Sequence, residues 1–458
     1  MIFARKGRAG FRGKPKPISA RELALQTLVA TESRSAYSDR LLERRLHGAA
    51  LKPEDARLAT TLVQGTLRRR GTLDHHLEFL TRGGLEGLPA WIRGAMRLGA
   101  YQLLFLDRVP PSASVDESVK LAKKYGHAGT AGLTNAVLRR LARGDRAPLP
   151  DADGDRAGHL AVLHSHPRWL VTRWLDRWGP EEAARLLAAD NLEPEVSVRV
   201  NRALATPEEA RRRLAAEGFT PEPGPNGGAI WILRGGFVAS RSPSFREGWI
   251  SLQDEAEAAV VPALDPSPGE RALDLCAAPG GKASQIAEAV GETGRLIALE
   301  RHVSRARALR ANLRDRLHHA NAHVVAGDGT VPPFRAPFDR VLVDAPCSGL
   351  GVLRRRADAR WRKEESTIAT MAALQAALLE GGAALVRRGG VLVYSVCSLE
   401  PEETREIAES FARAHADFAP EDVNPYVPAG FRSEGPYLTA TPHRHGTDGV
   451  FAARFRRR

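Results

Sequence analysis

The sequence has few of the features that mark secreted or membrane-inserted proteins. Its 458 residues include only three cysteines, too few for a disulfide framework, so we expect a reducing, cytoplasmic setting. No apolar run approaches the roughly 20 residues that a membrane span requires. The N-terminus, MIFARKGRAGFRGKPKP, is basic but has no apolar core, which excludes a secretory signal. We therefore expect no membrane partner.

Metal-binding and common nucleotide-binding signatures are also missing. His318 and His319 fall in a predicted helix, and no cluster of His and Cys has the spacing of a structural zinc site, so we expect no bound metal. Residues 276–282 form a glycine-containing turn, but they match neither the phosphate-binding P-loop nor the G-x-G-x-x-G dinucleotide fingerprint. A nicotinamide-dependent oxidoreductase is therefore disfavoured.

What the sequence does contain is a strongly basic first third. Residues 1–144 hold 26 Lys and Arg against 12 Asp and Glu, whereas the remainder holds 41 against 42. An excess confined to one segment indicates a polyanionic partner, most simply nucleic acid. The alternative is an arginine-rich composition that only decorates solvated helix faces.

The chain divides into segments of different pattern, and its length predicts several domains. Residues 1–17 are basic, contain Gly and Pro, and are predicted to be a flexible arm. Residues 18–144 have helical periodicity throughout, beginning at the capping box Ser19-Ala20-Arg21-Glu22. Residues 145–159 read as a linker and 160–255 as a small α/β connector. In the connector we predict helices at 168–178 and 180–189, strands at 196–200 and 229–233, and a capped helix that starts at Thr206. The predicted helices of the first domain after the capping box cover 36–47, 54–69, 72–81, 89–107, 114–125 and 129–143.

From residue 256 strands and helices alternate, which predicts a doubly wound α/β sheet. The stretch RALDLCAAPGGKASQIAEAV, residues 271–290, reads as a buried strand, a turn of small residues and a helix. In such folds this unit opens the ligand crevice at the carboxyl end of the first strand. Strands are predicted at 271–275, 295–299, 322–326, 338–343, 390–395 and 449–455, with helices at 282–290, 303–318, 366–387 and 402–414.

Several of these stretches resemble one known family. DLCAAPGGK is similar to the S-adenosylmethionine motif of RNA 5-methylcytosine methyltransferases, and segments such as RELALQTLVA and GLTNAVLRRL resemble the helical NusB domain. From residue 18 onward the chain resembles the bacterial small-subunit ribosomal RNA methyltransferase B type. The resemblance implies an all-α NusB-like domain, a small α/β connector and a Rossmann-like class I methyltransferase domain at 256–458. It also implies S-adenosylmethionine as cofactor and small-subunit ribosomal RNA as partner.

A donor of this kind needs a tight turn against its amino-acid part, an acid for the ribose hydroxyls and a polar contact to adenine. Glu300 ends the second strand, where an acid can accept hydrogen bonds from a ribose diol, and Asp328 ends the third. The alternative for both acids is that they cap the helix that follows. The predicted cofactor-binding residues are Cys276, Ala277, Ala278, Pro279, Gly280, Gly281, Lys282, Glu300, Asp328 and Asp344.

Two cysteine loops point to the chemistry. Cys347 lies in DAPCSG and Cys397 in YSVCSLEPEE, each just after a predicted strand. Carbon 5 of cytosine becomes nucleophilic only after a thiolate adds to carbon 6, so methylation at this carbon calls for a catalytic cysteine. The resemblance implies Cys397 as nucleophile and Cys347 as an aid to product release, whereas a DNA-type enzyme would attack with Cys347.

The same resemblance assigns supporting roles to two further residues. Asp344 would hydrogen-bond N3 of the pyrimidine, and Lys282 would organise the donor and this acid. Downstream of Cys347, a basic loop with one aromatic residue is predicted to bind RNA, unless it is only a solvated face. Its candidate residues are Arg354, Arg355, Arg356, Arg360 and Trp361.

We therefore predict an S-adenosylmethionine-dependent methyltransferase that modifies carbon 5 of a cytosine in 16S ribosomal RNA through a covalent cysteine adduct. One alternative is the same chemistry on transfer RNA, although a NusB-like domain argues against it. Another is a non-catalytic RNA-binding or ribosome assembly factor, which the intact cysteine loops disfavour. We expect a monomer.

Overall fold

The computed structural model describes residues 18–33, 37–49, 51–234 and 236–458. They form two compact units: one takes in the chain up to Arg168 together with residues 356–358, and the other comprises 169–355 and 359–458. The predicted flexible arm at 1–17 lies outside the described residues. Within the part of the chain that is described, no helix is long and apolar enough to cross a bilayer.

The first unit is built from helices, as the sequence predicts. Ser19 Oγ accepts a hydrogen bond from the backbone N–H of Glu22 at 3.1 Å, which caps the first helix. Apolar side chains at helical spacing, among them Leu62, Leu73 and Leu98, are fully buried in a common core. The helices are α1 (Ala20–Ser33), α2 (Ser38–Gly48), α3 (Pro53–Arg68), α4 (Arg70–Leu80), α5 (Ala90–Phe105), α6 (Pro111–Tyr125), α7 (Ala128–Ala142) and α8 (Arg156–His164).

Helix α8 begins inside the segment predicted to be a linker, residues 145–159. The Asp155 side chain accepts a hydrogen bond from the backbone N–H of Gly158 at 2.9 Å and caps the first turn of this helix. The sequence DADGDR has the Asp and Gly content of a loop, which concealed the capping role of its last aspartate.

Residues 356–358 come from the predicted basic loop but belong to the first unit. Ala357 is buried in the core of that unit, and the Asp358 carboxylate accepts a hydrogen bond from the backbone N–H of Ser38 at 3.3 Å. The guanidinium of Arg356 lies 5.1 Å from the centre of the Tyr37 ring. The stretch predicted as a single RNA-binding loop is therefore divided between the two units.

In the second unit, residues 196–252 contain a small antiparallel sheet with strand order β2-β3-β1-β4. Two of its strands were predicted, whereas β2 and β4 have only three residues each and carry no readable alternation. The strands are β1 (Val196–Val200), β2 (Pro221–Pro223), β3 (Ile230–Leu233) and β4 (Ile250–Leu252), and the helices are α9 (Arg168–Ala189), α10 (Pro207–Ala216) and α11 (Pro243–Arg246).

The helices of this region are interrupted and capped where the sequence predicts. Helix α9 is interrupted at Gly179, whose φ of 73° is non-helical, so it corresponds to the two predicted helices at 168–178 and 180–189. At the start of α10, Thr206 Oγ1 accepts a hydrogen bond from the N–H of Glu209 at 3.3 Å. The Glu209 carboxylate in turn accepts one from the N–H of Thr206 at 2.9 Å. This is the reciprocal capping box.

The second unit also contains an eight-stranded sheet with the order β10-β12-β9-β8-β5-β6-β7, in which β11 pairs with β12. Strands β7, β6, β5, β8 and β9 are parallel, and β12 runs antiparallel to β9. The strands are β5 (Arg271–Asp274), β6 (Arg295–Glu300), β7 (Ala322–Ala326), β8 (Phe338–Asp344), β9 (Val386–Val396), β10 (Phe418–Glu421), β11 (Leu438–Ala440) and β12 (Val450–Arg457).

Helices cover both faces of this sheet, as expected for buried parallel strands. Ala272 and Leu273 are consecutive in β5 and fully buried, yet they belong to separate hydrophobic clusters on opposite faces. The helices are α12 (Glu255–Ala258), α13 (Val260–Leu264), α14 (Gly281–Val290), α15 (Val303–Arg310), α16 (Ser366–Ala383), α17 (Arg405–Ala414) and α18 (Pro442–His445).

The predicted α/β pattern is confirmed, with differences at particular ends. Helix α15 stops at Arg310 and continues as a π-helical turn, and the short strands β10 and β11 were not predicted. Strand β9 starts at Val386, four residues before its predicted start. It continues through Gly389 and Gly390, near which the predicted strand began. A glycine pair normally weakens a strand, but here a register shift in the pairing with β8 accommodates it.

Helix α9 binds the segment that follows β9. Arg173 forms ion pairs with Glu400 and Glu402, and Arg177 donates a hydrogen bond to the backbone carbonyl of Leu399. The indole N–H of the fully buried Trp174 donates to Glu400 at 2.9 Å. Since the Glu400 carboxylate is itself buried, these donors are what make its burial tolerable.

We expect Trp174→Phe to lower the free energy of unfolding by about 1–3 kcal/mol, because it removes a donor from a buried carboxylate. Urea unfolding followed by circular dichroism measures this loss. Trp178→Phe, which changes the neighbouring indole of the same helix, is the matched control. Equal stability of Trp174→Phe and the parent protein would contradict a stabilising role for this hydrogen bond.

Candidate active site

Most of the predicted site residues lie at one edge of the large sheet. The chain winds outward in one direction from β5 to β6 and β7, and in the other direction from β8 to β9. Strands β5 and β8 are neighbours, so the order reverses between them. In open α/β sheets the ligand crevice lies outside the carboxyl ends of the strands at this reversal.

The turn between β5 and α14 is held by side chains from the region after β6. Asn312 donates a hydrogen bond to the carbonyl of Pro279 at 3.0 Å, and Arg305 donates one to the carbonyl of Ala278 at 3.1 Å. Gly280 has a φ of 110°, and a Cβ there would come within 2.8 Å of a leucine methyl group. Both the backbone conformation and the space thus require glycine at this position.

The turn lies in a field of negative charge. Asp274 is 1% exposed, and its pKa is raised to about 7 by burial and by the nearby Asp344, although Lys282 opposes this shift. Burial likewise raises the pKa of the Cys276 thiol, and the carboxylates of Asp274, Asp344 and Glu300 raise it further. Such a field favours a ligand that carries positive charge.

The two predicted donor-binding acids occupy the expected strand ends. Glu300 is buried, accepts a hydrogen bond from the N–H of His302 at 2.8 Å and lies 3.3 Å from a guanidinium nitrogen of Arg305. Asp328 is more exposed, and Oδ1 accepts from the N–H and hydroxyl of Thr330 at 2.9 and 2.8 Å. Both acids therefore bond groups of the turn that follows their strand, and α15 receives no side-chain cap. Their oxygens keep further lone pairs for a ligand.

Lys282 and Asp344 form an ion pair beside this turn. Lys282 Nζ lies 2.8 Å from Asp344 Oδ2, and Ser395 donates to Asp344 Oδ1 at 2.6 Å. Burial alone lowers the pKa of Lys282, but the charges of Asp344 and Glu257 outweigh it and raise the pKa above its ordinary value. The ammonium group therefore stays charged, with a carboxylate that receives a donor on each oxygen.

The two cysteine loops meet at the same edge. Cys347 follows β8 and Cys397 follows β9, and their Sγ atoms are 2.9 Å apart. The hydrogen bond to Cys397, followed by burial, raises the pKa of Cys347 well above the ordinary value. Cys347 is therefore a thiol that can donate its hydrogen to the sulfur of Cys397.

The loop at residues 446–449 also lies close to the Cys397 segment. The N–H of Gly351 donates to the carbonyl of Cys397 at 3.1 Å, and the Gly351 carbonyl accepts from the N–H of Gly449 at 2.7 Å. A Cβ on Gly351 would lie 2.3 Å from the carbonyl oxygen of Gly449, so only glycine permits this approach. Gly351 thereby connects the 446–449 loop to the backbone of the Cys397 loop.

The structure places three arginines of the predicted RNA-binding loop in contacts within the protein. Arg354 is 6% exposed and donates to backbone carbonyls of residues 446–447. Arg355 bridges two buried aspartates at 2.7 Å each, and Arg360 is fully buried and donates to the carbonyl of Asp190 at 3.0 Å. In the structure these guanidinium groups bind backbone carbonyls and carboxylates of the protein. Contacts of Arg356 and Trp361 with RNA stay predictions.

The donor set of the site suits an organic cation better than a metal ion. Over the described ranges 18–33, 37–49, 51–234 and 236–458, no group of three His, Cys, Asp or Glu side chains is arranged to hold a metal. Asp274, Glu300 and Asp328 instead follow one another along the ends of β5, β6 and β7. Carboxylates in this arrangement fit a ligand with positive charge and hydroxyl groups.

Comparison with known proteins agrees with this architecture over nearly the whole chain. The probable ribosomal RNA small subunit methyltransferase B of Synechocystis is 37% identical over 96% of this chain and 100% of its own length. The corresponding protein of Bacillus subtilis is 35% identical over 97% and 100%. The chain belongs to the ribosomal RNA small subunit methyltransferase B family. The Serratia proteamaculans member is 33% identical over 88% of this chain and 91% of its own.

Each part of this methyltransferase B family member also matches a described domain family. Residues 18–143 match the NusB family, 166–236 a ferredoxin-like domain of RsmF/B-like methyltransferases, and 261–456 the 16S rRNA methyltransferase RsmB/F. The solved structure of PH0851 superposes with a TM-score of 0.82 at 25% identity, over 97% of this chain and 100% of that one. A methyltransferase homologue from Pyrococcus horikoshii has a TM-score of 0.56 at 29% identity, over 65% and 98%. The multidomain fold class predicted from sequence is confirmed.

Some residues that build the site were not found from the sequence. Ser395, which bonds Asp344, lies inside a strand and gives no local signal. Glu403, which bonds both cysteine loops, stands in EPEE, and acids before a helix are usually exposed. Arg305 and Asn312 point back to the turn from a helix that reads as solvent-facing. The connections become visible only when distant segments are brought together.

The raised pKa of Asp274 predicts a pH dependence of stability. Between the ordinary value of roughly 4 and about 7, the folded protein holds a proton on Asp274 that the unfolded chain has released. Stability therefore falls as pH rises through this window. The stability of Asp274→Asn relative to the parent protein should be greater at pH 8 than at pH 5, by roughly 3 kcal/mol, because about two pKa units of the window lie between these pH values. Thermal unfolding of both proteins at the two pH values measures the difference, and a pH-independent difference would refute the assignment.

Proposed function

We propose that this chain transfers a methyl group from S-adenosylmethionine to carbon 5 of a cytosine in small-subunit (16S) ribosomal RNA. Cys397 forms a transient covalent bond to carbon 6 of the base. The observation that carries the proposal is the convergence of Cys347 and Cys397, 2.9 Å apart, with the Lys282–Asp344 ion pair at one sheet edge. The names of the relatives, which specify small-subunit ribosomal RNA, support the substrate.

The turn and its carboxylates are suited to the methyl donor. S-adenosylmethionine supplies an electrophilic methyl group on a sulfonium, and it also carries an ammonium group and a ribose diol. The negative field around Cys276 and Asp274 attracts the two positive charges. Glu300 would accept hydrogen bonds from the ribose hydroxyls, and Asp328 would contact the adenine. The residues that would hold the donor are those predicted from the sequence, Cys276 to Lys282 with Glu300, Asp328 and Asp344.

Cys397 activates the target base. Its thiolate adds to carbon 6, and the electron pair of the carbon 5–carbon 6 double bond becomes available at carbon 5 and N3. A proton shared by Lys282 and Asp344 reaches N3 as charge develops there, which the 2.8 Å contact between their polar atoms supports. Carbon 5 is then nucleophilic enough to accept the methyl group, whose bond to the sulfonium sulfur would break with its electron pair left on the sulfur.

Cys347 assists the release of the product. A base removes the proton from carbon 5, the double bond re-forms, and the carbon 6–sulfur bond breaks with its electrons going to Cys397. The leaving group is a thiolate, which a hydrogen-bond donor stabilises. Because its pKa is raised, Cys347 remains a thiol and can supply this donor at 2.9 Å.

The charge distribution supports an RNA substrate. Residues 1–144, with 26 basic against 12 acidic residues, provide the excess positive charge that phosphate binding requires. The target cytosine has to be unstacked or in a loop, because Cys397 must approach carbon 6 from the face of the ring. Methylation assays on 16S RNA against transfer RNA distinguish the proposed substrate from the closest alternative.

The two cysteines are predicted to fail at different steps. Cys397→Ala should give neither methylation nor adduct, because the base is not activated. Cys347→Ala should still attack and accept the methyl group but release it slowly. It should therefore accumulate a denaturation-resistant protein–RNA complex that carries label from the donor, measured by gel electrophoresis.

The double variant is the control for this trap and should show no complex, since trapping needs the nucleophile. An adduct in Cys397→Ala that is absent in Cys347→Ala would assign the attack to Cys347. If neither variant forms an adduct while the parent protein methylates RNA, covalent catalysis by this pair is refuted.

Donor affinity should depend on Glu300. Glu300→Ala removes a charged hydrogen-bond acceptor, worth on the order of 1.5–3 kcal/mol, so we expect a Kd for S-adenosylmethionine that is higher by at least about tenfold. Glu300→Asp should retain most of the affinity. Isothermal titration measures both, with Glu292→Ala, an exposed acid before the other end of β6, as control. Unchanged affinity in Glu300→Ala would exclude this residue from the site.

A further inference from the structure

We infer that Glu403 is a positioning residue that fixes the two cysteine loops relative to each other for the covalent steps. The inference rests on the proposed function, because it assigns a purpose to the spacing of Cys347 and Cys397. Glu403 comes shortly before α17, six residues after Cys397 in sequence, and its side chain is fully buried.

The contacts of this carboxylate reach both loops in the same way. Each cysteine is followed by a serine, Ser348 after Cys347 and Ser398 after Cys397. The hydroxyl groups of both serines donate to Glu403 Oε2, and the backbone N–H of Ser348 donates to Oε1 at 2.7 Å. One buried carboxylate therefore joins the two residues that directly follow the cysteines in sequence.

The surroundings of Glu403 supply the donors that a buried charge needs. Gln375 of α16 donates to Oε1 at 3.0 Å, in addition to the bonds from the two serines. The same glutamine donates to the carbonyl of Pro346, the residue before Cys347, at 3.0 Å. The carboxylate is thus fully bonded and oriented from three directions, as a buried acceptor of this kind must be.

The charge of Glu403 also acts on the nearer thiol. It contributes, after the hydrogen bond to Cys397 and burial, to the raised pKa of Cys347. A thiol held in this protonated form keeps the hydrogen that it donates to Cys397. Geometry and charge hence work together: the carboxylate fixes the separation of the sulfur atoms and favours the thiol form of one of them.

Reacting groups tolerate little displacement, and a shift of about 1 Å can lower a rate roughly a hundredfold. Glu403→Gln keeps the size of the side chain but replaces one acceptor oxygen by an amide that cannot accept the serine hydrogens. We expect kcat for 16S RNA to fall roughly ten- to hundredfold, with the KM for RNA and the Kd for S-adenosylmethionine unchanged within about twofold. Glu406→Gln removes the same charge from an exposed position of α17 and is the matched control.

A second measurement does not require methyl transfer. Alkylation of each cysteine by iodoacetamide, followed by mass spectrometry across a pH series, reports the ionisation of Cys347. Removing the Glu403 charge should move the alkylation midpoint of Cys347 to lower pH, whereas Glu406→Gln should leave it in place. Ser398→Ala and Ser348→Ala each delete one hydroxyl donor and should also lower kcat. They replace Glu403→Gln as test variants if that protein does not fold.

The outcomes separate this inference from the proposed function. A kcat in Glu403→Gln and both serine variants within about twofold of the parent, or an unchanged Cys347 midpoint in Glu403→Gln, overturns the positioning role. A parent protein that methylates no RNA overturns the proposed function instead, and the alkylation profiles still decide whether Glu403 controls the thiol. A fall in kcat together with a shifted midpoint supports both.

Discussion

Parallel strands end at one edge of a sheet, and everything at this site follows from that constraint. Asp274, Asp344 and Cys397 are far apart in the chain, yet each lies at or just beyond the end of β5, β8 or β9, which are neighbours in the sheet. The helices on both faces bury the central residues of these strands, so a ligand can reach the strands at their ends. The chemistry is therefore concentrated where the backbone leaves the sheet, in the short loops that follow.

Negative charge is concentrated at this edge at a cost to the folded protein. Asp274 and Cys276 lie in the field of Asp344 and Glu300, and burial strengthens the repulsion between the acids. Lys282 offsets part of it through its ion pair with Asp344. A cationic ligand would reduce the remaining repulsion between the acids. The same repulsion that destabilises the folded protein therefore contributes to the affinity for such a ligand.

Local patterns allowed much of this arrangement to be predicted, and non-local contacts account for what was missed. The strand, turn and helix at 271–290 are visible because apolar and small residues are adjacent in sequence. Strands β2 and β10 are too short to show alternation. The arginines of the basic loop resemble a phosphate-binding surface, and only the fold supplies the distant acids and carbonyls that bury Arg354, Arg355 and Arg360. The meeting of the cysteines likewise depends on the pairing of β8 with β9, which a motif alone does not specify.

Helix α9 lies more than two hundred residues before the Cys397 loop in sequence. Its side chains Arg173, Trp174 and Arg177 nevertheless form an ion pair and hydrogen bonds with the segment just after that cysteine. The connector is thus a structural support of the segment after Cys397 and not a spacer. Exchange of methyltransferase modules between relatives would succeed only if the crossover point lay upstream of α9. A chimera joined after this helix would combine a Cys397 loop and a supporting helix that come from different proteins.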